Sequence, residues 1–134
     1  MAIEIPVVRY LVPCDELVVE EGRRSCSLRN LIHAIVRRPG EPFPCIRDRM
    51  VLYALLTNGR GKHQVTIELA FLDRGTERSL VSLHPREVDF GQDPVAVLGL
   101  PVPLKNVAFA QPGQYTFYLV CDGQRIAHQH VEVR

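Results

Sequence analysis

Large apolar residues occupy every second position in the middle of the chain, from Val65 to Phe71. A period of two is the period of a β-strand, because successive side chains along a strand point to opposite faces of the sheet. The intervening positions are mostly small or polar. The segment therefore predicts a strand with one face turned towards a core.

Several other apolar segments are short and bounded by turn residues, which is typical of strands. Pro6 interrupts the first of them and suits an edge strand, since proline cannot donate to a ladder. The Cys26–Val36 segment also shows helical spacing from Leu28 onwards, and its strand-like neighbours favour a strand. The segments are Ile3–Val12, Leu17–Val19, Cys26–Val36, Met50–Leu56, Ser79–Leu83 and Val95–Val102.

Turn residues separate these strands. Arg37–Pro44 holds three prolines and one glycine and is predicted to be a loop. Glu20–Ser25, Asn58–Gly61 and Asp73–Gly75 are predicted to be turns. Met50–Leu56 is apolar throughout, as a central strand of a sandwich is.

The end of the chain predicts a β-hairpin. A strand from Tyr115 to Cys121 leads into Asp122-Gly123, a dipeptide typical of two-residue hairpin turns. On the outgoing strand, every second side chain from Tyr115 onwards is expected to face the core.

The returning strand carries a conflict of parity. A tight turn pairs Leu119 with Ile126 and places both in the core, whereas Val131 and Val133 then have the wrong parity to face inwards. One extra residue resolves this conflict, because it shifts the alternation by one position. We therefore predict a β-bulge between Ala127 and His130.

Together these elements predict one domain over residues 1–134, an all-β immunoglobulin-like antiparallel β-sandwich of about seven or eight strands. The segment Pro112–Phe117 resembles a tyrosine corner, in which a tyrosine hydroxyl bonds back to the backbone upstream. Val7–Asp15, Phe90–Pro94 and the ending of the chain resemble a bacterial family known as a domain of unknown function. That resemblance implies a stand-alone sandwich protein and implies no activity.

Charge and composition argue against several classes of function. The chain has 16 basic and 15 acidic residues, a net charge of +1, which argues against binding to nucleic acid or to a membrane surface. The sequence predicts neither a signal peptide nor an apolar run long enough to cross a bilayer. The four cysteines form no C-x-x-C pair, so we expect free thiols, no cofactor and a cytoplasmic location.

Catalytic chemistry finds little support in the sequence. His128, His130 and Cys121 are the best candidates for a metal site, but the predicted bulge would place the two histidines on different faces. Cys14 has no neighbouring base that could activate a nucleophile. We therefore predict neither catalytic nor metal-ligating residues and no enzyme. A small metal-dependent hydrolase using those three residues is the alternative.

A basic rim around the proline-rich loop is the best candidate for binding. Arginine beside an aromatic side chain is a composition that protein interfaces favour. We predict a non-enzymatic protein-binding or scaffold module, whose partner is another protein or a second copy paired through a sheet edge. The same arginines give a nucleic-acid binder as a further alternative. The rim residues are Arg37, Arg38, Phe43, Arg47 and Arg49.

Overall fold

A computed structural model describes residues 3–19 and 25–134. Nine strands are present in this part of the chain, and none of its residues forms a helix. The strands are β1 (Val7–Val19), β2 (Cys26–Leu31), β3 (Ala34–Ile35), β4 (Cys45–Thr57), β5 (Lys62–Asp73), β6 (Thr76–Asp89), β7 (Val97–Phe109), β8 (Gly113–Cys121) and β9 (Gln124–Val133).

The strands form two sheets, which confirms the predicted all-β sandwich. One sheet has the order β2-β1-β4-β7 and the other has the order β3-β9-β8-β5-β6. Neighbouring strands are antiparallel except that the two-residue β3 runs parallel to β9. The count of nine exceeds the expected seven or eight because Cys26–Val36 provides two strands rather than one.

The core lies between the two sheets and is built from alternate residues of β4, β5, β7 and β8. Burying a large apolar side chain contributes roughly 1.5–3 kcal/mol, so this layer supplies most of the stabilisation. The predicted inward face of β8, from Tyr115 to Cys121, is confirmed, since its members are essentially inaccessible to solvent. The largest fully buried side chains include Tyr115, Phe109, Phe117, Met50, Leu52, Leu56, Ile67, Leu69 and Leu119.

The ambiguous segment Cys26–Val36 is extended, as predicted, but it is not one strand. β2 pairs with β1 in the first sheet, whereas β3 pairs with β9 in the second. Asn30 has a φ of 55°, and the amide of Ile32 donates to the carbonyl of Pro13 at 2.9 Å. The chain therefore turns here and crosses between the sheets.

The tyrosine corner is present at the start of β8. The hydroxyl of Tyr115 donates to the carbonyl of Gln111 at 2.7 Å and accepts from the amide of the same residue at 3.3 Å. Gly113 has a φ of 146°, and a Cβ at this position would lie 2.7 Å from an edge carbon of Phe71. Glycine is required here by both backbone conformation and space.

The hairpin Asp122-Gly123 is confirmed, with φ values of 51° and 80° that are typical of a type I′ turn. The bulge is also present, but its predicted position is wrong. Leu119 faces Ala127 and Val120 faces Arg125, so the extra residue is Ile126. Ile126 is half-buried and packs against the core.

Two smaller expectations about the first strand need correction. β1 begins directly after Pro6, and it lies between β2 and β4 rather than at an edge. Leu17–Val19 is the end of this strand, not a separate one. The residues of the predicted turn at 20–24 lie outside the described residues, while the turns at 58–61 and 73–75 are found as expected. Among the described residues, no helix could span a membrane.

Candidate functional site

The outer face of the four-stranded sheet is apolar, although the outer faces of sandwiches are usually polar. On β4, Val51, Tyr53 and Leu55 face outwards, between the core residues Leu52 and Ala54. On β7, the outward positions opposite them are Pro103, Pro101 and Gly99. This face therefore needs a cover or a ligand.

A bend in β1 supplies a partial cover. Cys14 is the last residue of β1 that pairs with β4, and it faces Val51. A straight continuation would carry Val19 to the level of Ile46 at the start of β4, on the order of 30 Å from Leu55 at about 3.3 Å per residue. Instead, Val19 lies beside Leu55 on the wall of one groove. The β1–β2 hairpin therefore folds back over the outer face of the sheet.

The space between this hairpin and the sheet is a cleft with two sections. The inner section has a volume of about 590 Å³ and lies between the hairpin end and Tyr53, Leu55 and Val97. The outer section has a volume of about 520 Å³, and both sections are lined by Leu17 and Pro101, where they meet. Ligand pockets typically have about 300–1,000 Å³ and mostly apolar walls.

A few polar groups stand at the two ends of the cleft. In the inner section, burial raises the pKa of Tyr53, and the neighbouring thiol of Cys26 raises it further. Gly99 leaves room for this ring, because a Cβ there would overlap the Tyr53 hydroxyl. In the outer section, Arg49 and Lys105 face each other across β4 and β7.

Sequence reasoning missed this cleft. The available signal was the apolar character of Met50–Leu56 at both parities, a pattern that a central strand of a sandwich also shows. β4 is central within its sheet, but the sheet has a second sheet on only one face. The bend of β1 that covers the other face has no local signature in the sequence.

The proline-rich loop gathers four of the five predicted rim residues. The guanidinium carbon of Arg37 lies 4.3 Å from the centroid of the Phe43 ring. Arg47 donates to the carbonyl of Val36 at 2.7 Å. Arg38 lines a groove of about 460 Å³ beside them. Arg49 lies elsewhere, in the cleft, so the predicted rim of five residues is not one patch.

Glu41 holds this loop together. Its carboxylate accepts from the amide of Arg38 at 3.1 Å and from the thiol of Cys45 at 3.7 Å, and it lies 3.8 Å from Arg47. The bond from the Arg38 amide, with the nearby charge of Arg47, lowers the pKa of Glu41. The side chain of Arg47 is therefore engaged by Val36 and Glu41, whereas Arg37 and Arg38 remain exposed to solvent.

The three residues of the hydrolase alternative do not converge. Cys121 points into the core, where burial raises the pKa of its thiol to about 11. His128 and His130 lie on the outer face of β9, with ring centroids 5.1 Å apart. The expectation that the bulge separates the two histidines is wrong, because the bulge falls at Ile126 and precedes both.

Potential metal ligands do converge within 4.8 Å elsewhere in the described residues, at His63, Cys121 and Asp122. His63 is buried, and its Nδ1 lies 2.6 Å from a carboxylate oxygen of Asp122, while its Nε2 lies 2.7 Å from the carbonyl oxygen of Arg60. Both neighbours accept hydrogen bonds, so each ring nitrogen is engaged as a donor. Neither keeps a lone pair for a metal.

The class of protein that these features define is an all-β sandwich with an apolar cleft under a folded-back hairpin. The chain belongs to the family of unknown function DUF6941, whose model matches residues 11–134. No curated protein matches it.

Among solved structures, the chain is similar to the Pseudomonas fluorescens alkylpurine DNA glycosylase AlkC bound to DNA containing an abasic site analogue. The identity is 12% and the TM-score is 0.49. The alignment covers 96% of this chain and 30% of the glycosylase chain, so the present chain spans less than a third of that protein.

Proposed function

We propose that this protein is a non-enzymatic protein-binding module that takes an acidic segment of its partner in the groove beside the proline-rich loop. The observation that carries the proposal is the Arg37–Phe43 stack, in which the exposed guanidinium of Arg37 lies on a half-buried ring that packs against the core. Arginine and aromatic side chains are the residues that most often dominate binding energy at protein interfaces.

Pre-organisation supports this function. Binding usually costs free energy for ordering loops and side chains, and a loop that is fixed beforehand avoids much of that cost. Here the carboxylate of Glu41 ties Arg38 of the loop to Cys45 and Arg47 at the start of β4, and Arg37 also donates to the carbonyl of Glu41 at 3.3 Å. The loop can meet a partner without rearrangement.

The charge of the groove supports an acidic partner segment. Arg37, Arg38 and Arg134 line the groove with Glu41, and because the guanidinium of Arg134 is paired with Glu132 at 3.0 Å, Arg37 and Arg38 supply its positive charge. Guanidinium groups bind carboxylates through paired hydrogen bonds, which gives both affinity and orientation. The rim is small and local, so a short acidic peptide segment fits it better than a long nucleic-acid backbone.

Co-purification from native cells tests the proposal. We expect the wild-type protein to retain one dominant partner, and the double variant Arg37→Ala with Arg38→Ala to bind the purified partner on the order of tenfold more weakly. The matched control is Arg9→Ala with Arg78→Ala, which removes the same charge from residues outside the groove. Retention of the partner by the first variant and loss by the control would refute the proposal.

The proposal also includes the setting of the protein. The four cysteines are free, which supports a reducing compartment such as the bacterial cytosol. The tyrosine corner supports an immunoglobulin-like type of sandwich. Pairing of two copies through a sheet edge stays a prediction, as does the absence of enzymatic activity.

A further inference from the structure

We propose that the cleft beneath the β1–β2 hairpin is a binding site for a free long-chain fatty acid, with the carboxylate near Arg49 and Lys105. The site is separate from the proline-rich loop, so this inference does not depend on the proposed function.

The shape of the cleft favours a narrow, elongated ligand. Its floor runs along β4 from Arg49 to Leu55, which spans roughly 20 Å at about 3.3 Å per residue. The end of β1 and the start of β2 form one wall of the inner section, and the outer face of the sheet forms the other. An extended hydrocarbon chain has the length and thickness that such a channel accepts.

The lining of the inner section favours hydrocarbon. Val97 is 61% exposed and Val19 is 68% exposed, although both lie inside a cleft. Exposed apolar surface of this kind marks a binding site, because burying it is favourable. The Tyr53 hydroxyl and the Cys26 thiol both line this section, so each keeps a polar neighbour when an apolar ligand fills it.

The outer section favours a terminal carboxylate. Arg49 and Lys105 are directly opposite each other on β4 and β7, and both are exposed. Asp15 and Glu16 stand on the other wall of this section, and Glu16 is engaged by Arg29 at 3.6 Å. With Glu16 paired to Arg29, the two cations of the floor face the single carboxylate of Asp15, so the outer section keeps a net positive charge for an anion, whose hydrocarbon chain would extend towards the inner section.

Calorimetric titration with soluble single-chain amphiphiles below their micellar concentrations tests this inference. We expect dodecanoate to bind, and its affinity to rise on the order of tenfold for each two methylenes added from octanoate to dodecanoate. Dodecyltrimethylammonium, which has the same chain and the opposite charge, should bind at least about tenfold more weakly. Equal affinity along the series would overturn the hydrocarbon channel.

Two variants locate the site. Val97→Trp should fill the inner section and abolish dodecanoate binding, whereas Val95→Trp, at a residue 80% exposed and outside the cleft, should leave it unchanged. Arg49→Gln with Lys105→Gln should remove the preference for the anionic ligand. Unchanged binding in Val97→Trp, with thermal unfolding of all variants matching wild type, would overturn the assignment.

A membrane is the competing source of the same chemistry. Sedimentation with vesicles of anionic phosphatidylglycerol provides that arm of the experiment. Vesicle binding without dodecanoate binding would refute a free fatty acid as the ligand. Loss of the protein partner in the Arg37 and Arg38 variants leaves this result untouched, so the two proposals fail separately.

Discussion

The imidazole of His63 and the carboxylate of Asp122 form a hydrogen bond of 2.6 Å between residues 59 positions apart in the chain. The contact joins the start of β5 to the turn between β8 and β9. Burial by itself would lower the pKa of His63, but the hydrogen bonds to Asp122 and to the carbonyl of Arg60 raise it. The bond from His63 likewise lowers the pKa of Asp122.

This contact predicts a stability that depends on pH. The raised pKa of His63 contributes stability fully below the ordinary histidine value of 6.5, and that contribution is lost as the pH rises through the folded-state value. The lowered pKa of Asp122 contributes above the ordinary value of 3.8 and is lost as the pH falls through the folded-state value. The pair should therefore stabilise the fold most between the two ordinary pKa values, 3.8 for the aspartate and 6.5 for the histidine.

Asp122→Asn isolates the charge, since asparagine is well accepted at a positive φ in a type I′ turn. We expect the free energy of unfolding to fall by about 1–2 kcal/mol at pH 5, because the partly exposed carboxylate is screened by solvent. The loss should be smaller at pH 9. Urea unfolding at both pH values measures it, and an equal loss at both would contradict a charged pair.

Removing the Tyr115 hydroxyl from the tyrosine corner should lower the free energy of unfolding measurably. Tyr115→Phe leaves the ring packed but removes both hydrogen bonds to Gln111. We expect a loss of about 1–2 kcal/mol in the free energy of unfolding, typical of a part-buried hydrogen bond. Tyr10→Phe, at a residue 58% exposed, is the control and should stay within about 0.5 kcal/mol of wild type.

Substitution of Gly113 should lower the free energy of unfolding more than removal of the Tyr115 hydroxyl does. Gly113→Ala places a methyl group against Phe71, and it also forces alanine into a backbone conformation that it rarely adopts. The steric contact and the backbone strain both destabilise the variant. We expect destabilisation of about 2 kcal/mol or more by chemical unfolding. Gly40→Ala also has a positive φ, but nothing lies within 4 Å of its Cβ position. Similar losses in the two variants would show that the contact with Phe71 contributes little.

The burial of the four cysteines predicts how many thiols react in the native protein. Cys14, Cys45 and Cys121 are fully buried, whereas Cys26 is half-buried on the wall of the cleft. A thiol reagent such as Ellman's reagent should therefore modify one thiol rapidly in the native protein and the other three after unfolding. Cys26→Ser should abolish the rapid phase. Rapid reaction of two or more thiols would contradict the burial of the core cysteines.

The local features of this fold were predictable from the sequence, while its long-range features were not. The alternation in Val65–Phe71 and the Asp122-Gly123 turn act over a few residues, so their consequences could be derived directly. The bulge was expected from a parity conflict, but parity fixes only that one residue is extra. It does not distinguish Ile126 from the positions that follow.

The candidate sites show the same division. Arg37 and Phe43 are close in sequence, and the structure places them in contact. Arg49 is also close in sequence, yet it belongs to the cleft because β4 carries it away from the loop. The cleft itself depends on how β1 bends after Cys14, and this depends on tertiary packing that no neighbouring residues encode.

The position of Tyr53 gives the protein an intrinsic optical probe. The chain has four tyrosines and no tryptophan, so tyrosine dominates its ultraviolet emission. Tyr53 is the tyrosine on the cleft floor, next to a thiol that can quench it. A molecule that enters the cleft alters this environment, and occupancy can be followed by fluorescence without attaching a dye.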